Sequence, residues 1–93
     1  MIVGLLSMEI HIPESGSLKS KRFVLKSIKD RVHNRFNVSI AEVGSNDLWQ
    51  RTEMAAAVVS NDAAHAHSVL EKVVALVQES PDAELLDYRI EML

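Results

Sequence analysis

Two kinds of hydrophobic spacing run along this chain. Over residues 1–12, MIVGLLSMEIHI, apolar and polar positions alternate once past the start: Leu6, Met8, Ile10 and Ile12 on one side, Ser7, Glu9 and His11 on the other. A period of two sends successive side chains to opposite faces and predicts a strand with one buried face. Pro13 lacks a backbone donor and ends it, and Pro13-Glu14-Ser15-Gly16-Ser17 reads as a loop. From Leu18 to Phe36 the spacing changes to three and four. Leu25, Ile28, Val32 and Phe36 recur, with Leu18 and Val24 on the same side, which predicts an amphipathic helix. Ser17 or Ser20 is expected to cap its start, and Asn37, tolerant of left-handed backbone, to mark its end.

The second half repeats the rhythm. Asn37 to Gly44 predicts a short strand with Val38 and Ile40 on one side, and Ser45-Asn46-Asp47 a turn. Met54 to Ser60, MAAAVVS, is continuously apolar, as in a central strand. Ser60 or Asn61 is expected to cap a helix over Asp62 to Glu79, with Ala66, Val69, Leu70, Val73 and Val77 as its apolar stripe. Ser80-Pro81-Asp82 ends it, and Leu85 to Leu93 alternates again, with Leu86, Tyr88, Ile90 and Met92 against Asp87, Arg89 and Glu91. The order is β-α-β-β-α-β. Right-handed crossovers then place both helices on one face of a four-stranded antiparallel sheet, an α+β ferredoxin-like sandwich formed by residues 1–93 as a single domain.

Charge adds what periodicity does not show. The net charge is −3, yet Leu18 to Phe36 carries seven basic residues and one acid, Asp30, a local +6. The remaining residues carry three basic and twelve acidic side chains, a balance of −9. Such segregation creates a polarised field that steers an anionic partner to one surface. Zero cysteines exclude a disulfide framework, a thiol nucleophile, a thiolate zinc site and an iron–sulfur cluster, and fit a reducing compartment. The longest apolar run, Met54 to Val59, is far short of the ~20 residues that a membrane span needs. The first twelve residues lack the basic start and small-residue cleavage site of a signal peptide.

Several segments taken in order, Ser17-Leu18-Lys19 with Lys21-Arg22, Phe36-Asn37-Val38-Ser39-Ile40-Ala41-Glu42, Asp47-Leu48-Trp49-Gln50-Arg51 and Val58-Val59-Ser60-Asn61-Asp62, resemble the YlxP-like family of small bacterial proteins. The resemblance implies a ferredoxin-like fold and a bacterial cytoplasmic protein whose gene often sits among translation and ribosome-maturation genes. It implies no reaction, since the family has been carried as one of unknown function. Thr52-Glu53-Met54-Ala55-Ala56 departs from the more apolar, glycine-containing start expected there for the third strand.

Chemistry-bearing residues are few. At ~100° per residue, Lys19, Arg22, Lys26 and Lys29 share one ~80° stripe of the first helix, with Phe23 beside it. Cations in a row with an aromatic neighbour suit phosphate contact and base stacking, and equally a solvated face or an acidic protein partner. The expected strands one and three hold no Phe, Tyr or Trp, so RNA recognition by aromatics on the open sheet, as in RRM domains, is excluded. Trp49, the one tryptophan, either anchors a partner or, the more economical reading, folds back over the core. His65 and His67 point ~200° apart on a helix and cannot chelate one metal. Ser15, Ser17, Ser39 and Ser60 lack a nucleophile-elbow or P-loop context. The acylphosphatase phosphate loop and the cysteine pair of heavy-metal-binding relatives are both missing. Opposite the helices, Val3, Leu5, Ser7, Glu9 and His11 would form a mixed, partly apolar open face, for which a homodimer is expected.

The expectation is therefore a non-enzymatic cytoplasmic protein, without cofactor, metal or membrane, that binds ribosomal RNA or a ribosome-assembly particle. Lys19, Lys21, Arg22, Lys26 and Lys29 would contact phosphates, with Arg51 extending the surface and Trp49 and Phe23 contacting the partner. The alternative is a dimeric protein-interaction or small-ligand regulatory module that uses the Trp49 loop or the open sheet face.

Overall fold

The computed structural model describes residues 1–13 and 15–93. Its elements run β1 (Ile2–His11), α1 (Leu18–Arg35), β2 (Ser39–Gly44), β3 (Arg51–Ser60), α2 (Ala63–Gln78) and β4 (Glu84–Met92). The sheet order is β2-β3-β1-β4, every neighbouring pair antiparallel, as the β-α-β-β-α-β reading requires. Glu14, in the expected loop after β1, lies outside the described residues.

The even-numbered residues of β1 face the helices. Leu6, Met8 and Ile10 lie opposite Ala56, Met54 and Thr52 of β3, and all six are buried. Onto this surface α1 presents Leu25, Ile28 and Val32, and α2 presents Ala66, Leu70, Val73 and Val77. The helix α2 packs across β1, β3 and β4, while α1 lies over β2 and beside α2. Gly4 permits the close approach of α2: a Cβ there would stand 3.0 Å from Leu70 Cδ1.

Element ends differ from the sequence expectation for local reasons. Ser17 caps α1, its Oγ accepting from Ser20 N–H at 3.1 Å, and Leu18 is exposed rather than part of the apolar stripe. The helix ends one residue before Phe36, whose backbone is extended (φ −133°), so Asn37 makes no left-handed exit. Among the described non-glycine residues only Ser45 has a positive φ, 59°, and it turns the chain out of β2. The third strand starts at Arg51, three residues before the apolar run, because Thr52 continues the buried face opposite Ile10. Asp62, not Ser60 or Asn61, caps α2 and accepts from Ala64 N–H at 2.9 Å. In β4 the register slips between Glu9 and Ile10, so Leu85 packs on the core while Leu86 is left exposed.

The largest correction concerns Lys21. It was expected to contact phosphate, but its side chain is 1% exposed and turns into the seam between α1 and the end of β2. Its Nζ donates to the Ser45 carbonyl at 2.7 Å and pairs with Glu42 Oε2 at 2.9 Å. The same carboxylate oxygen accepts from Thr52 Oγ1 at 2.7 Å. Burial alone raises the Glu42 pKa, but hydrogen bonds from Thr52 and Lys21, with the Lys21 and Arg22 charges, outweigh it and hold the carboxyl below its ordinary 4.5.

Removing one partner of such a pair strands a buried charge. Glu42→Gln is expected to cost about 3–5 kcal/mol in urea unfolding at neutral pH, and Lys21→Met with Glu42→Leu to recover most of it. Because Glu42 titrates lower when folded, its contribution is fully present above 4.5 and is lost as pH falls through the depressed folded value. Unfolding free energies measured from pH 7 to pH 3 should therefore decline less steeply below 4.5 in Glu42→Gln than in the unsubstituted chain.

Candidate polyanion interface

With Lys21 turned inward, the remaining cations of α1 take the outer face by helical geometry. Lys19, Arg22, Lys26 and Lys29 lie within an ~80° arc and climb ~15 Å of helix axis. His33 continues the same arc one turn further. Lys19, Arg22 and Lys26 are exposed and Lys29 half-buried. Phe23 borders the arc with 76% of its surface in water, a large exposure for an aromatic ring.

One acid interrupts the stripe. Lys26 Nζ bonds Asp30 Oδ2 at 2.6 Å, an i,i+4 pair in solvent. That hydrogen bond is the main reason the Asp30 carboxyl sits below its usual range; desolvation opposes it, and the Lys26, His33 and Lys29 charges add to the lowering. Lys19, Arg22 and Lys29 make no ion pair among the described residues. The first turn of α1 carries no acid. Cations there lie at the positive end of the helix dipole, a placement that costs helix stability and concentrates positive potential.

Two further expected contacts lie elsewhere. Arg51 pairs with His11 on the open face of the sheet, opposite the helices, and its Nη2 meets Glu9 Oε1 at 3.4 Å. It does not extend the α1 surface. Trp49 does not fold back over the core: it is 54% exposed, beside the exposed Leu48. Its loop is held near the start of α1, where Ile12 N–H donates to the Gln50 carbonyl at 2.8 Å and Gln50 Nε2 reaches the Pro13 and Ser15 carbonyls at 3.3 and 3.2 Å. An exposed Leu48–Trp49 tip thus stands at the same end of the sandwich as Lys19.

The open face was legible as mixed, but not its charge order. Register sets Glu9 between Glu53 of β3 and Asp87 of β4, a row of three carboxylates across three strands. They rim a hollow of about 300 Å³ with Ser7, Val43 and Arg89. Only strand register reveals this row, since its members are far apart in sequence. It faces away from α1, so an anionic partner is repelled from the sheet and drawn to the helix. Among the described residues no three or more metal-binding side chains converge so as to hold a metal ion. His65 and His67 are exposed, with His67 Nε2 3.8 Å from Glu71 Oε1. Among the described residues no helix is long and apolar enough to cross a membrane.

Fold and surface together define a small α+β module of ferredoxin-like fold with a cationic outer helix. The chain belongs to the family described as "Protein of unknown function (DUF503)", whose model matches residues 3–90. It is similar to the uncharacterized protein YlxP of Bacillus subtilis (strain 168), 43% identical over 83 residues that cover 89% of this chain and 90% of that one. Among solved structures it is similar to the de novo designed protein Foldit4, with a TM-score of 0.57 at 11% identity, covering 100% of this chain and 97% of the other. It is also similar to a second designed protein with ferredoxin fold, with a TM-score of 0.51 at 14% identity, covering 100% and 84%. At such identities the likeness concerns fold alone.

An exposed Trp49 contributes little to packing. Trp49→Ala is expected to shift unfolding free energy by no more than ~0.5 kcal/mol, against several for a buried aromatic. Iodide should quench its fluorescence in the folded protein nearly as strongly as in urea.

Proposed function

We propose that this protein is a non-enzymatic cytoplasmic binding module that engages RNA, within ribosomal or ribosome-assembly particles, through the outer face of α1. The observation that carries the reading is the row of Lys19, Arg22 and Lys26, exposed, and Lys29, half-buried, with Phe23 in water beside it and the acidic sheet turned the other way. Cations would contact phosphates, and Phe23 would stack on an unpaired base, which favours single-stranded segments over duplex. Lys21 stands outside this set as a structural residue. The resemblance to proteins encoded among translation genes directs the reading towards ribosomal RNA. A second reading, protein contact through the loop tip, is favoured by the exposure of Leu48 and Trp49.

Neutralising four phosphates of a single strand gives log K a slope of about −3 against log salt. Co-sedimentation with bacterial ribosomal particles should carry the protein into the pellet at low salt and release it as salt rises. Lys26→Glu/Lys29→Glu should remain in the supernatant. Asp30→Asn, by releasing Lys26, should bind more tightly. A wild type that stays in the supernatant at low salt, or a double variant that pellets equally well, contradicts the proposal and moves attention to the Trp49 tip.

A further inference from the structure

The sheet has two edges, and they differ. The β2 edge is six residues long and broken by a register shift between Glu42 and Gly44. The β4 edge is nine residues long, ELLDYRIEM, with no proline, glycine or lysine, and its register with β1 shifts once, at Leu86. It also holds Leu86, Tyr88 and Met92, three of the exposed large hydrophobic side chains.

The backbone of β4 shows which groups are open. Leu93 N–H donates to the Val3 carbonyl at 2.8 Å, continuing the β1–β4 register in which Gly4 faces Met92. Antiparallel alternation then turns the N–H and C=O groups of Met92, Ile90 and Tyr88 away from β1, towards the open edge. Tyr88 N–H accordingly lacks a strand partner and is held at 2.9 Å by the carboxylate of its own neighbour, Asp87.

We infer that the β4 edge pairs antiparallel with β4 of a second copy of this chain, about a two-fold axis at Tyr88, joining two four-stranded sheets into one of eight strands. Charge sets the register. Centring on Tyr88 places Asp87 opposite Arg89 of the second copy, twice by symmetry, and brings Leu86, at the register shift, beside Ile90. Centring on Asp87 or Arg89 sets like charges against each other. Centring on Ile90 also opposes unlike charges, Arg89 and Glu91, but overlaps only residues 88–92 and leaves Leu86 uncovered. With the axis at Tyr88, the two β4 strands overlap along their length, interrupted only by the register shift at Leu86, the two Tyr88 backbones exchange hydrogen bonds, and Asp87 is released from Tyr88 N–H to meet an arginine. Because α1 lies over the opposite edge, this contact is independent of the proposed RNA surface.

Sedimentation equilibrium with single and paired charge reversals tests the register. The wild type is expected at twice 10.4 kDa. Asp87→Arg and Arg89→Asp should each weaken association roughly tenfold or more, since both opposed pairs become like-charged. An equimolar mixture of the two variants should dimerise again, because each arginine then meets an aspartate, and so should the doubly exchanged chain Asp87→Arg/Arg89→Asp. Recovery in the mixture also shows that both variants fold. A wild type that stays monomeric near ~1 mM overturns the inference. So do single variants that dimerise as well as wild type, and so does loss with Arg89→Asp alone, which would indicate the Ile90 register.

Discussion

The ammonium group of Lys21 is out of water at the seam of α1 and β2, a position that is tolerable only because two oxygens meet it, one of the Glu42 carboxylate, itself held by Thr52, and the Ser45 carbonyl. Much of the surface geometry depends on this contact. Together with the buried Leu25, Ile28 and Val32 it fixes the rotation of α1 about its axis, since a helix with these residues pointing inward must carry Lys19, Arg22, Lys26 and Lys29 outward. It also clamps the left-handed turn at Ser45, so that the chain leaves β2 towards the exposed Leu48–Trp49 tip.

Once α1 is so oriented, the molecule has two faces of opposite character. Its outer helix is cationic with an aromatic ring in water, and its open sheet carries the Glu53–Glu9–Asp87 row. Like charges placed directly across strands cost stability, as do cations in the first turn of a helix. Arg51 offsets part of the first cost by pairing with Glu9. These are features that packing alone does not favour, and they act together as a field directed at α1.

The architecture was readable because its signals are strong and local. Period two across β1, period three-and-four across both helices, and the turn residues between them suffice for element order, and the order with right-handed crossovers suffices for the sheet. Three of the residues that escaped that reading show why. Lys21 is a lysine one step from an obvious cationic stripe, and its partner Glu42 lies in the next element, β2, so nothing local marks it as buried. Arg51 looked continuous with Trp49 in sequence, but it begins a strand, and pairing with His11 sets it on the far face. Leu86 fits the alternation of β4 until the register shift opposite Glu9 and Ile10 moves Leu85 into its place. In each case a tertiary pairing overrides a local pattern.

Amide chemical shifts in the folded protein, followed while a uridine oligonucleotide is added, test the central claim most directly. The account predicts movements confined to the outer face of α1, at Lys19, Arg22, Phe23, Lys26 and Lys29, with the Lys21 and Glu42 amides and the β4 edge unmoved. Shifts centred on the open sheet or the Trp49 tip, with α1 silent, would contradict it.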